Sequence, residues 1–202
     1  EMTLLTGQGR YADAIKTFDE FQASPSRSRL IPPAASAAAL AAAARVGDPN
    51  TIARISQQVA RTTTDPQVRM AAVLLAMDDP NAPIRAVGNP QKVPVYVMMV
   101  ALCMAGNRDD ANTAGAYADA LAKMDKELID LRSPRTIPPA QMVLCGLIGG
   151  RDEMVRQYDS RLKASMMKQA AQELVAGGPA RRGEAVTLLR CAIARELDEP
   201  EL

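Results

Sequence analysis

The stretch "GRYADAIKTFDEF", residues 9–21, decides how the rest of the chain is read. Ala14, Ile15 and Phe18 fall three and four residues apart, so on a helix they share one face, while the charged residues Asp13, Lys16 and Asp19 fall outside it. Gly9 ends whatever precedes, and the acidic and apolar residues after it open a new helix. Weaker copies return at "GNRDDA" (106–111), "GGRDEM" (149–154) and "ARRGEA" (180–185). From Ala14 to Ala185 the landmarks average about 34 residues apart over five intervals, the period of stacked helical hairpins.

A second series runs out of phase with the first. "IPPA" occurs at 31–34 and again at 137–140, each time after an arginine-bearing stretch ("SRSRL", "RSPRT"), and "VPV" at 93–95 lies between them. Proline lacks a backbone donor but fits a first helical turn, so each site marks a loop passing into a helix. "GDPNTIARI" from Gly47 and "DDPNAPIRAV" from Asp78 form another internal pair with the same meaning. The spacings predict helices over 11–22; 34–46 with 49–61; 66–77 with 80–88; 95–105 with 107–131; 138–148 with 151–163; and 164–176 with 180–196. The first hairpin keeps little of its leading helix. The expected fold is all-α: a short, curved α-solenoid of five to six degenerate hairpins forming a single domain over 1–196, with an acidic tail at 197–202.

Composition agrees. Apolar residues make up 48% of the 202 and aromatics only 3%, so the core is built from Ala, Val, Leu, Ile and Met, which suit closely packed helices. Net charge is +1, with ten basic against eight acidic residues in 1–101 and fourteen against fifteen in the remainder. Proteins that live on phosphate backbones carry a larger basic excess. The apolar run "VPVYVMMVALCMAG" (93–106) holds Pro94 and falls short of the roughly 20 residues that span a bilayer. No transmembrane segment and no targeting segment is expected, and a chain opening on Glu1 rather than Met reads as processed or trimmed.

At these residues the chain resembles the pentatricopeptide repeat family. "GRYADAIKTFDEF" is similar to that family's second repeat helix nearly position for position, and "ALCMAGNRDDA" (101–111) to its inter-helix turn, including Leu102 and Cys103; "VLCGLIGGRDEM" (143–154) is a weaker match. The Trp and Tyr signature of tetratricopeptide repeats is not found. The resemblance implies residence in mitochondria and, for many family members, RNA binding at about one base per repeat. The base readers sit near the start of the first helix and at the loop end. Here those places hold "AASAAALAA" after Pro33, "VYVMMVA" after Pro94 and "AQMVLC" after Pro139, leaving Ser36, Tyr96 and Gln141 as candidate readers. The loop-end carboxylate is replaced by Ala34, Val95 and Ala140. Such a lining lacks the donors and acceptors that base edges need, so RNA binding is disfavoured. The arginines Arg27, Arg29, Arg132, Arg135, Arg181 and Arg182 read as solvated loop charges or as anchors of a protein interface.

No enzyme is expected, and no catalytic, cofactor-binding or metal-binding residue. The chain has no histidine, which removes the commonest general base. Cys103, Cys145 and Cys191 are too far apart for a metal motif and read as small buried hydrophobes. "GQGRYA" (7–12) lacks the strand a dinucleotide site requires, and "SMMK" (Ser165 to Lys168) lacks the companion elements of a Ser-x-x-Lys nucleophile. The acidic pairs Asp78/Asp79, Asp109/Asp110 and Asp152/Glu153 sit where helices start, offsetting the helix dipole. Met98, Met99, Met166 and Met167 read as core filler. The expectation is a non-catalytic accessory subunit of a mitochondrial multiprotein complex, with no small-molecule ligand. Small family members of this kind resemble chains that lie against the α subunit of ATP synthase; mitochondrial ribosome assemblies and RNA processing are the alternatives.

Overall fold

The computed structural model describes residues 1–24, 31–133, 137–159, 164–176 and 181–198. It is all-helical, with no strand among the described residues. The helices are α1 (Met2–Gly7), α2 (Tyr11–Ala23), α3 (Pro33–Val46), α4 (Pro49–Thr62), α5 (Pro66–Met77), α6 (Ala82–Val87), α7 (Val95–Asn107), α8 (Ala111–Asp130), α9 (Pro139–Gly149), α10 (Asp152–Tyr158), α11 (Ala164–Ala176) and α12 (Arg182–Asp198), with a short 3-10 turn at Pro90–Lys92 before α7. No helix is long and apolar enough to cross a membrane among the described residues.

The punctuation read from the sequence sets the boundaries. Proline opens α3, α4, α5 and α9. Asp48 caps α4 by accepting from the Thr51 amide at 2.8 Å, Asp65 caps α5 from Gln67 at 2.8 Å, and Asp110 caps α8 from Thr113 at 3.1 Å; each satisfies an amide that the first turn leaves without a partner. Gly47 and Gly150 end α3 and α9 with φ of +71° and +65°, a conformation glycine adopts without strain. Asp78 and Asp109 take the same left-handed turn. Because the Arg108–Asp110 turn intervenes, α8 begins at Ala111 rather than at 107. The α10 helix stops at Tyr158; residues 160–163 lie outside the described residues. Helix α1, six residues long, precedes α2 where the expected spans gave no helix. The last helix continues to Asp198, two residues into the expected acidic tail, and 199–202 lie outside the described residues.

The helices that open each pair, α1, α3, α5, α7 and α9, lie at the centre; α2, α4 and α8 each bridge two neighbouring members of that inner set from outside, and α10 packs between α9 and α12. The inner set does more than pack in sequence order. Helix α3 lies directly on α7, and α1 lies on α9, so contacts skip intervening hairpins. An open stack would leave a lined groove; here the inner faces meet one another. Composition makes this possible. Helix α3 is alanine on most sides and buried from Ser36 to Arg45, so its backbone sits close to several neighbours at once. Helix α7, "VYVMMVALCMAGN", is buried from Val97 to Ala105, filling the space that the alanines leave.

Specific polar contacts tie the skipped layers. The Asn107 amide nitrogen donates to the Ala44 carbonyl at 2.6 Å, joining the ends of α7 and α3, and the Thr6 hydroxyl donates to the Ala38 carbonyl at 3.2 Å, joining α1 to α3. The Tyr117 hydroxyl donates to the Pro80 carbonyl at 2.9 Å. Outside, Arg151 grips Asp119 with two 2.6 Å hydrogen bonds between α8 and the start of α10.

Close approach also constrains single glycines. A Cβ at Gly149 would fall 2.4 Å from the Ala118 Cβ and 3.2 Å from the Ala114 carbonyl oxygen, so α9 crosses α8 at a spacing only hydrogen allows. Gly149→Ala is expected to lower stability by about 1–3 kcal/mol through overpacking, measured by equilibrium urea unfolding.

Candidate functional site

The residues singled out in the sequence do not converge. Ser36 and Gln141, two of the three candidate base readers, are 1% and 2% exposed and face the core; Tyr96 is half-buried. Ala34 and Ala140 are half-buried and Val95 is buried. Arg132 ends α8 in an exposed left-handed turn, and Arg181 and Arg182 open α12; Arg27, Arg29 and Arg135 lie outside the described residues. The acidic pairs have structural duties. Asp110 is a cap whose carboxyl is held below its usual range by the Thr113 hydroxyl and amide, and Asp79 is held down by Arg85. Asp78 pairs with Arg108 at 2.5 Å and Glu153 with Arg156 at 2.7 Å. No cluster of three or more potential metal ligands occurs among the described residues.

The cysteines are buried and free. Burial pushes the Cys103 thiol up to about 12 and Cys191 to about 11, with Cys145 also well above the ordinary value. None supplies a thiolate at neutral pH. In "GQGRYA", Gly7 faces Ala140 of α9 so closely that a Cβ would come within 2.7 Å, which gives that glycine a packing role. In "SMMK", Lys168 reaches Glu196 at 2.5 Å, across the α11–α12 hairpin; the side chains of Ser165 and Met166 lie outside those described.

Chemistry gathers instead where α2 begins, α3 ends and α12 begins. Arg45, the one charged residue among the alanines of α3, pairs with Glu184 of α12, and their side chains are 1% and 6% exposed. The guanidinium carbons of Arg45 and Arg181 lie 5.8 and 5.1 Å from the centre of the Tyr11 ring, near enough for attraction to its π face. A cleft of about 1000 Å³ between α1, α9 and the last hairpin is bordered by Leu4, Leu144, Leu147, Leu174, Arg181 and Glu184.

Burial dominates the electrostatics of this cluster. It pushes the Glu184 carboxyl above its usual range, with Arg45 and Arg181 pulling part of the way back. Burial would lower Arg45, but Glu184 and Tyr11 outweigh it, and the guanidinium stays charged. The Tyr11 phenol is pushed up to about 12, chiefly by desolvation. Such a constellation has no nucleophile beside a base; its chemical capacity is to fix one helix end against another. Nothing local announces it, because the partners are 139 residues apart. The only sequence sign is a lone arginine in "AAAARV".

No family model, no curated protein and no solved structure matches this chain in the three comparisons made.

Within the pair, the Arg45 Nη2 donates to Glu184, while Nε and Nη1 are buried with no hydrogen bond among the described residues. A buried pair left partly unsatisfied contributes little net stability, yet breaking it strands a charge. Glu184→Ala is therefore expected to cost about 3–5 kcal/mol, while Arg45→Met combined with Glu184→Leu recovers most of that loss, both read by urea unfolding. Because folding raises the Glu184 pKa, the folded state binds the extra proton. The stability of the native protein relative to Glu184→Gln should then fall as pH rises above 4.5 through the folded-state value, and be greatest below it. Unfolding curves of the two proteins from pH 4 to 8 check the sign.

Proposed function

We infer that this chain is a non-catalytic helical-repeat protein, a short α-solenoid of five to six degenerate hairpins closed on its own inner faces, that docks on another protein. The observation carrying this reading is the outer face of α5. Met70, Val73 and Met77, spaced three and four residues apart, are each more than half exposed, whereas Val68, Ala71, Ala72, Leu74 and Leu75 on the other side are buried. In the neighbouring pairs the second helix has 14 or 20 residues, but α6 has six and is too short to cover α5. The result is a flexible, methionine-rich apolar stripe, a chemistry suited to a protein partner.

The closed interior supports the same reading from another side. Faces that would read bases are packed against the chain itself, and Ser36 and Gln141 are buried. RNA binding is the alternative; of its candidate readers Ser36 and Gln141 are buried and Tyr96 half-buried. The resemblance at residues 9–21 and 101–111 supplies the setting: a mitochondrial multiprotein complex. The specific candidate is the α subunit of ATP synthase, with a mitochondrial ribosomal assembly as the competing complex.

Native purification followed by blue-native electrophoresis and cross-linking tests this proposal. The protein is expected to migrate with the ATP synthase head and to cross-link from the α5 face. Val73→Lys with Met77→Lys should abolish co-migration while leaving the helical circular dichroism unchanged. Migration of the native protein as a free species, or tight, sequence-selective and salt-sensitive binding to labelled RNA, would overturn it.

A further inference from the structure

The buried apolar residues form two clusters of unequal size among the described residues. The larger runs through α1 to α9 and takes in Met154 of α10. The smaller joins Met167 and Ala171 of α11 to Ala185, Leu188, Cys191 and Ala192 of α12, with Val155 of α10 buried beside them. Helices α11 and α12 therefore complete most of a small core between themselves. Toward the rest of the chain α12 packs on α9 and α10, where Val143, Leu147 and Val155 are the apolar residues that meet this cluster. On another side the cleft of about 1000 Å³ lies between the hairpin and α1, bordered by Leu174 of α11 and Leu4 of α1.

Polar contacts complete the joint at both ends of α12. Toward its end, Arg195 Nη2 donates to the Asp159 carbonyl at 2.9 Å, Cys191 Sγ donates to the Asp152 carbonyl at 3.6 Å, and Arg190 lies 3.7 Å from the Asp152 carboxylate. At its start, Glu184 meets Arg45 and Arg181 lies over the Tyr11 ring. The buried ion pair is finely balanced. Docking gives Glu184 its cation but strips water from both ions, and Arg45 Nε and Nη1 are left with no hydrogen bond among the described residues. Undocking gives both ions back to water, which offsets much of the attraction that is lost. A unit with its own core, held by a joint of small net strength, opens before the rest of the molecule does.

We propose that the α11–α12 hairpin undocks as one unit while α1 to α10 stay folded, which makes it a movable wall of the cleft latched by the Arg45–Glu184 pair. The thiols report this motion. Cys191 lies on the joint, whereas Cys103 and Cys145 belong to the larger cluster, and all three are buried when the hairpin is docked. The α5 stripe lies outside the joint, so the motion is independent of the partner proposed there.

Native-state hydrogen exchange of the full chain, read by mass spectrometry, tests the proposal. Amides of α12 should exchange faster than those of α3 and α7, and iodoacetamide should label Cys191 ahead of Cys103 and Cys145. Leu102→Ala should speed exchange in α3 and α7 by about thirtyfold or more yet leave α12 unchanged, because α1 to α10 are the same in the docked and undocked forms. Ile55→Val, with a milder effect of about threefold, repeats that comparison if Leu102→Ala does not fold. Glu184→Ala should speed exchange in α12 by about a hundredfold or more, and Glu184→Gln should act in the same direction to a smaller extent. Equal exchange in all three helices with the three thiols labelled together would overturn the proposal. So would a Leu102→Ala effect of equal size in α3, α7 and α12, or an α12 rate that neither Glu184 variant changes.

Discussion

Everything in this molecule rests on how closely helix α3 lets its neighbours approach. A run of alanines has almost no side-chain volume, so α1, α2, α4, α5 and α7 all reach it, and the longer residues of α7 occupy the remaining space. Larger side chains on α3 would push α7 outward. The inner helices would then part, and the chain would present the groove that repeat proteins usually offer. Dispersion and hydrophobic burial over this seam favour closure.

The local architecture was legible because its determinants are local. Proline at helix starts, glycine or aspartate at ends, and apolar residues three and four apart each act within one or two turns, so α2 to α5, α7, α9 and α11 fall within a residue or two of their expected spans. The same logic places Asp110 at the start of α8, where it accepts from the Thr113 amide, and Asp79 in the turn before α6, where it accepts from the Asn81 amide. Long-range relations were not legible. Nothing near Gly7 says that it faces Ala140, and nothing near Arg45 names Glu184, because such pairings depend on how all the hairpins add up in space. Ser36 and Gln141 show the limit most clearly. As sequence they are the few polar residues in an apolar lining, and only the packing of α3 on α7 and of α9 on α1 reveals that they face inward.

Exposed apolar side chains run along two helices. On α5 the cause is a deficiency, an outer helix cut to six residues. On α12 the exposed side chains Val186, Leu189 and Ile193 lie opposite the face packed on α9, α10 and α11. A mobile side chain such as methionine adapts to the surface it meets, whereas branched residues such as Val186 and Ile193 present a fixed relief.

The Arg45–Glu184 pair carries a consequence for synthesis. A linear array lets early units settle as they leave the ribosome, but here the cation enters the interior on the third helix while its counter-ion is translated 139 residues later. Until α12 emerges, Arg45 lacks the Glu184 carboxylate that meets it in the folded chain, and water must solvate its guanidinium in the interval. Birth order thus delays this ion pair until residue 184 has been made, long after α3 has formed its other contacts with α1, α2, α4, α5 and α7.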